Sequence, residues 1–397
     1  MALEDVILEL PDFVIKECKG RHEVALTVAH VGGFSCIKCG SLKLRVKAKR
    51  IRRIRHLSFG DSNSTLHVES RKYMCLSCGK YFYQRYPGIL PRARSSEPFR
   101  KQVSLQHIGG MSQRTLAHRH KISPASIERW THTYLNVEDS KQDRSCLPRV
   151  LGIDEHFFTK KKGFVTTLAD LTKHCVYDVR LGRSESALGA YLGRLEGRDR
   201  VQVVVMDLSS SYRSVVKKYF PKAKIVSDRF HVVRSIAHAL LETWKQFDET
   251  GRKNRGLLSL MRRKPKHLSF EQAQRLKAYL QSLPGFEIIY NKLQELQSLM
   301  RVKHQTKKQC AKLIPEFLKL IEEVRSCPIG PLQTLGKTLE LWKEEIVRMW
   351  RFTKTNSITE GLHTRMEELQ RRAYGFRNFE NYRLRVRTLI GYRKQYL

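Results

Sequence analysis

Apolar and polar residues alternate in short runs across residues 1–90, the period-two signature of half-buried strands. Val6-Ile-Leu-Glu-Leu10 and Glu23-Val-Ala-Leu-Thr-Val28 predict lead-in strands. Leu42, Leu44 and Val46 alternate with basic residues, and Leu66-His-Val-Glu69 alternates again. From residue 91 the spacing turns helical. Ser96-Glu97-Pro98, Ser112 and Ser123-Pro124 each read as a helix start, with a capping hydroxyl and, in two of them, Pro near the first turn. The last of these helices is predicted to run to Leu135, and residues 136–148, polar and ending in Pro148, predict a linker.

The next segment mixes the two periods. Val150–Ile153 reads as a buried strand that ends in Asp154 and Glu155; Gly163–Asp170 and His174–Arg180 predict a hairpin, and Ser184–Leu195 a helix. Val201-Gln-Val-Val-Val-Met-Asp207 is a near-continuous apolar run, as in a strand covered on both faces, and Ala223–Asp228 is a third strand ending in an acid. Residues 236–350 carry only helical periodicity, with amphipathic runs at Ala273–Leu283 and Leu313–Val324. After residue 350, Asn356-Ser357 offers a cap for a helix through Thr364–Ala373, which places Glu360 in its first turns. The expectation is a multidomain α/β chain. It divides into an N-terminal segment (1–90, with a ribbon over 34–90), a helical domain with a linker (91–148), a mixed-sheet core (149–235), an all-helical insertion (236–350) and a helical return to the core (351–397).

Charge narrows the function. The 397 residues hold 75 Lys+Arg against 38 Asp+Glu, a formal charge of +37. That excess points to a polyanion, nucleic acid first, rather than to a small metabolite. No apolar run is long enough for a bilayer span, and the first residues lack the n- and h-regions of a signal peptide, so no membrane partner and a cytoplasmic, nucleoid-associated location are expected. Nine cysteines, four of them in two Cys-x-x-Cys pairs, suit a reducing compartment and one metal site.

Those pairs, Cys36-Ile-Lys-Cys39-Gly40 and Cys75-Leu-Ser-Cys78-Gly79, have the same shape. Two such knuckles predict a closed, structural four-sulfur zinc site. Between them Lys47–Arg55, with Arg52 and Arg53, is a basic run suited to phosphate. In the helical domain, Leu116, Ala117, Ile122, Ile127 and Trp130 occupy the positions a helix-turn-helix buries. The third helix would then present Ser126 and Arg129 to a major groove, with Arg114 and Lys121 nearby. Near the C-terminus Tyr374, Phe376 and Phe379 interleave with Arg371, Arg372 and Arg377, which suits either base stacking or packing.

Acids at the ends of core strands need a positive partner. Divalent cations that activate water or a 3′-hydroxyl on a phosphodiester take carboxylates from separate elements. Asp154 and Asp207 are the first two candidates and Glu360 the third, for Mg²⁺ or Mn²⁺. Asp228 competes as an extra ligand. Glu155 should face away from Asp154, Glu367 and Glu368 share a helix with Glu360, and His156 and His231 are set aside as structural.

The ordered set resembles a DDE transposase with an RNase H-like core, and more narrowly the ISL3 insertion-sequence family. It is carried by Gly152-Ile-Asp-Glu-His156, Val205-Met-Asp-Leu-Ser209, Ser227-Asp-Arg-Phe-His-Val232, Glu360 after Asn356-Ser357, and Gln370-Arg-Arg-Ala-Tyr-Gly-Phe-Arg-Asn-Phe-Glu-Asn-Tyr-Arg383. The resemblance implies a zinc ribbon, a helix-turn-helix and a core interrupted by helices. It further implies cleavage at terminal inverted repeats and strand transfer into target DNA by a homo-oligomer on paired ends. A DNA-binding regulator with a non-catalytic core, and a nuclease without strand transfer, are the alternatives.

Overall fold

The computed structural model describes residues 7–142, 144, 146–352 and 357–392. The chain forms two compact units, one of residues 1–140 with 371–375, the other of 141–370 with 376–397.

In the first unit β1 (Phe13–Lys19), β2 (Glu23–His30), β3 (Leu44–Phe59), β4 (Ser62–Cys75) and the short β5 (Tyr81–Tyr83) make one sheet, in the order β1-β2-β4-β3 with β5 on the end of β4. The lead-in is therefore part of the sheet: β2 runs parallel to β4 from Glu23 opposite Asn63 to Val28 opposite Val68. Of the first expected strand, Val6 lies outside the described residues. Ile7 and Leu8 are helical, and Leu8 and Leu10 instead plug the core beneath the sheet with Phe13, Leu26, Ile54, Leu66 and Val68.

Three helices follow in this unit, α1 (Glu97–Ile108), α2 (Gln113–His120) and α3 (Pro124–Ser140). Ser96 and Ser112 cap the first two through their hydroxyls. Phe99, Val103, Leu116 and Ile127 form the buried centre, with Ala117, Ile122 and Trp130 against it. The turn after α2 passes through Lys121 at φ +50°. Helix α3 continues five residues into the expected linker, because Asn136–Ser140 contains neither Gly nor Pro to stop it.

The second unit is built on the sheet β10-β9-β6-β7-β8: β6 (Val150–Thr159), β7 (Gly163–Asp170), β8 (Cys175–Leu181), β9 (Val203–Met206) and β10 (Lys224–Ser227). The first three are antiparallel; β9 and β10 join parallel to β6. Helices α4 (Glu185–Arg194) and α5 (Ser210–Tyr219) connect the strands, and α6 (Arg229–Phe247) leaves β10. Then come α7 (Glu249–Lys253), α8 (Arg255–Arg262), α9 (Phe270–Gln281), α10 (Pro284–Arg301), α11 (Lys307–Ser326), α12 (Gly330–Leu341) and α13 (Lys343–Arg351), followed by α14 (Ser357–Arg372) and α15 (Phe379–Ile390). One apolar core runs through sheet and helices.

Strand β6 is longer than the apolar run that announced it. Asp154 pairs with Thr167 and the ladder to β7 continues to Thr159, whereas on the other side the pairing to β9 stops at Ile153 opposite Met206. Backbone pairing with β7 carries the strand past its carboxylates, so Asp154 marks the end of β9's coverage, not of β6. Two arginines, the buried Arg229 and the half-buried Arg383, lock the helices to the sheet. Arg229 donates to the carbonyls of Met300, Val302 and Met349, capping the ends of α10 and α13. Arg383 on α15 grips Asp178 of β8 through two bonds of 2.6 and 2.7 Å, and although burial opposes ionisation, Arg383 holds that carboxyl below the usual range. Among the described residues no helix is long and apolar enough to cross a membrane.

Candidate active site and metal centres

Parallel register sets the acid edge of the second unit. Ile153 pairs with Met206 and Met206 with Ser227, so the next residue of each strand, Asp154, Asp207 and Asp228, stands at one level. Asp154 is only 9% exposed. Burial first, then the nearby Asp207, and more weakly Asp228 and Glu155, push its carboxyl up to about 8, against one amide N–H from Glu155 that favours the charge. An acid kept neutral this way becomes a carboxylate once a cation enters.

Asp207 lies 3.1 Å from Nε2 of His231, and Asp228 3.9 Å from the same nitrogen. One ligand atom from each of these three residues falls within 4.8 Å of the other two. A cavity of about 440 Å³ opens over Asp207 and His231, lined also by Glu155, Arg183 and the Ser209–Tyr212 turn, with Asp228 buried beneath. Glu155 alternates away from Asp154 and pairs with Arg183 at 3.2 Å.

Helix α14 reaches Asp154 through His363, whose Nδ1 is 3.9 Å from the carboxylate while Nε2 meets Thr167 Oγ1 at 3.0 Å. Burial and then His156, whose ring lies 4.9 Å away, lower His363 to about 3. The imidazole is therefore neutral, and its approach to Asp154 is not an ion pair. The helix comes this close because Gly152 has no side chain: a Cβ there would stand 2.9 Å from Thr359 Oγ1 and 2.8 Å from Leu171. Glu360 is exposed in the first turn of α14, one turn before His363 and so on the same side of the helix. Asn356, the expected cap partner, lies outside the described residues. Glu367 and Glu368 lie further along α14.

The sulfurs of the first unit converge as completely as their spacing suggested. The β3–β4 hairpin sets Leu44 opposite Cys75, and the two knuckles face each other: Cys36 Sγ is 3.6 Å from Cys78 Sγ, and Cys39 Sγ 3.5 Å from Cys75 Sγ. All four lie within 4.8 Å of one another. Gly40 and Gly79 take φ +71° and +68° and each donates its amide to the carbonyl of the first cysteine of its pair. Burial opposes a thiolate at Cys75, but amides of Cys78 and Ser77 outweigh it and bring the thiol down to about 6. Tyr73, Phe82 and Phe34 pack the inner side. This donor set suits zinc and leaves no protein-side opening for a reactant.

The basic residues divide. Arg53 on β3, Arg114 on α2 and Arg129 on α3 are exposed, Arg129 reaching Ser126 Oγ at 3.4 Å with Ser126 itself partly buried. Arg371 and Arg372 in the last turn of α14, and Arg377 beyond it, are also exposed. Arg52 is turned inward and donates to the carbonyls of Ala93 (2.7 Å) and Leu90, and Lys121 pairs with Glu23 at 2.5 Å. Arg55 is tied to the carbonyls of His120 and Lys121. Tyr374 is exposed, whereas Phe379 is buried and Phe376 packs against Tyr382, so two of the three aromatics serve packing.

His231, expected from the sequence to be structural, and His363, which the sequence does not single out, both stand beside the strand-end acids. The available signal was spacing. Each histidine lies three residues after an acid at a helix start, Asp228 for one and Glu360 for the other, which puts acid and imidazole on one helical face.

Residues 151–386 match the DDE family model ISL3, described as a transposase. Residues 33–78 match a model described as the zinc-finger of transposase IS204/IS1001/IS1096/IS1165. Over 363 residues the chain is 24% identical to the transposase for insertion sequence element IS1001 of Bordetella parapertussis, covering 89% of this chain and 88% of that protein.

Proposed function

As this chain belongs to the ISL3 family of transposases, we propose that it binds the terminal inverted repeats of an insertion sequence and cuts and joins DNA at an RNase H-like core with Asp154, Asp207 and Glu360 as its acids. The observation that carries the reading is the common level of Asp154 and Asp207 on parallel strands, with α14 docked against β6 so that Glu360 starts a helix whose next turn touches Asp154. The strand order, three antiparallel strands extended by two parallel ones, supports an RNase H-like assignment.

In this reading Asp154, Asp207 and Glu360 hold Mg²⁺ or Mn²⁺. Bound there, two such cations supply charge stabilisation and a nucleophile at neutral pH. The chain's own part is positional. Burial of Asp154 excludes water from one side, His363 and Thr167 fix the neighbouring space, and the Ser209–Tyr212 turn borders the cavity through which a phosphodiester would approach.

The N-terminal unit serves end recognition. Cys36, Cys39, Cys75 and Cys78 hold a structural Zn²⁺; α2 and α3 act as a helix-turn-helix offering Arg114, Ser126 and Arg129; Arg53 contacts phosphate. Arg371, Arg372 and Arg377 add phosphate contacts, while Arg52 and Lys121 contribute mainly by shaping the unit, since both are already engaged. Pairing two DNA ends calls for a homo-oligomer. The test is incubation of the purified protein with Mg²⁺ and DNA carrying the element's ends. Cleavage and joining that disappear in Asp154→Asn, with binding retained, support the proposal. Footprinting without cleavage in either Mg²⁺ or Mn²⁺ would leave a binding protein only, and cleavage without joining would leave a nuclease.

A further inference from the structure

The side chain of Asp228 does something unusual for its position. It is the N-cap residue of α6, where Asp normally accepts a bond from the helix's own amides, yet it makes no such cap bond. It is buried, with 1% exposure, and its carboxylate is turned toward His231, one helical turn on, and toward Asp207 from the neighbouring strand. Arg229, between Asp228 and His231 in the chain, ties the first turn of α6 to the carbonyls of Met300, Val302 and Met349 at the ends of α10 and α13.

We propose that Asp207, Asp228 and His231 form a divalent-cation site of their own, sharing Asp207 with the Asp154 set and preferring Mn²⁺ to Mg²⁺. The proposal rests on the transposase reading and adds ligands to it. Two carboxylate oxygens and an imidazole nitrogen already within 4.8 Å of one another make half of a six-coordinate shell, leaving positions for water and phosphate oxygen. The nitrogen sets the preference, since imidazole is a poor ligand for Mg²⁺ and a good one for later divalent metals. Access is open from two sides. The 440 Å³ cavity over Asp207 and a second of about 650 Å³ between α6 and α12, bordered by Arg234, His238 and Thr338, meet at His231 and Ser235. An ion here would face a DNA strand entering from either.

The test is Mn²⁺ titration of the full-length protein without DNA, followed by electron paramagnetic resonance, with pulsed spectra read for ¹⁴N coupling. Wild-type protein should bind Mn²⁺ with one coupled imidazole nitrogen. His231→Ala should abolish the coupling and weaken binding at least about 10-fold, and Asp228→Asn should weaken it similarly. His363→Ala, which removes the imidazole beside Asp154, should leave the coupling intact. Unchanged melting temperatures would establish that the variants are folded. Bound Mn²⁺ without nitrogen coupling, or coupling that survives His231→Ala, overturns this site and leaves the Asp154–Asp207–Glu360 proposal standing. A wild-type protein that binds no Mn²⁺ at all overturns both.

Discussion

The four sulfurs and the strand-end acids are built by opposite means. In the first unit, two copies of one five-residue motif close on each other across a hairpin, and local backbone geometry aims every ligand atom. In the second, each acid comes from a different strand and a further imidazole from a helix far along the chain, and only the assembled sheet aligns them. The first arrangement is closed, packed by aromatics on its inner side. The second opens into a cavity. A closed site holds its ion for the sake of the fold, and an open one leaves coordination positions for a reactant.

The largest expected effect falls on the closed site. Cys75→Ser should release zinc and unfold the ribbon, since structural zinc in small modules is worth roughly 10 kcal/mol of folding free energy. The α/β unit should keep its own melting transition. Zinc content unchanged in that variant would break the contrast. Asp154→Asn should leave both melting transitions in place and lower cleavage on the order of 10³-fold, as expected for loss of a ligand acting on the transition state. A variant that unfolds instead would mean that the acids are structural too.

A smaller effect comes from two histidines whose burial depresses them strongly, the buried His56 in the first unit and the half-buried His363 in the second. Burial lowers His56 from 6.5 to about 4 and His363 from 6.5 to about 3. In both, the unfolded chain takes up the proton first. Stability is therefore fully present above pH 6.5 and is lost as pH falls toward the folded values, by at most about 3 kcal/mol for His56. Thermal melts from pH 7 to pH 5 should show the first unit weakening, and His56→Gln should flatten that slope; in the second unit the raised Asp154 carboxyl takes up a proton in the folded state over the same range and offsets the loss from His363. The smallest effect separates two adjacent arginines. Arg53→Ala should weaken binding to any duplex and reduce the salt slope by about one. Arg52→Ala, which frees the carbonyls of Leu90 and Ala93, should lower the first unit's melting temperature and leave the salt slope nearly unchanged.

Legibility in the sequence follows the same contrast. The cysteine knuckles were readable because spacing alone determines their geometry. The strand over Val203–Met206 was readable because its apolar run matches its burial. The length of β6 was not, since its polar second half is held by β7 and not by its own hydrophobicity. The lead-in strand over Glu23–His30 carried the right period but no sign that it would pair with β4, a non-local choice. Among the candidate DNA contacts, composition could not separate Arg52 from Arg53, because which of two neighbours faces inward depends on register. The same limit applied to His363, whose place beside Asp154 depends on the packing of α14 over Gly152.

That packing also has a consequence in time. His363 meets Thr167 across 196 residues of sequence. At about 5–20 residues per second on a ribosome, that interval is roughly 10–40 s. During it β6 and β7 have been synthesised and α14 has not. A nascent chain thus carries residues 1–140, sulfur knuckles included, well before the acid site can be finished. Truncated products of translation that end anywhere in the helical insertion would retain residues 1–140 of the first unit but lack its 371–375 segment, together with the helix that completes the second.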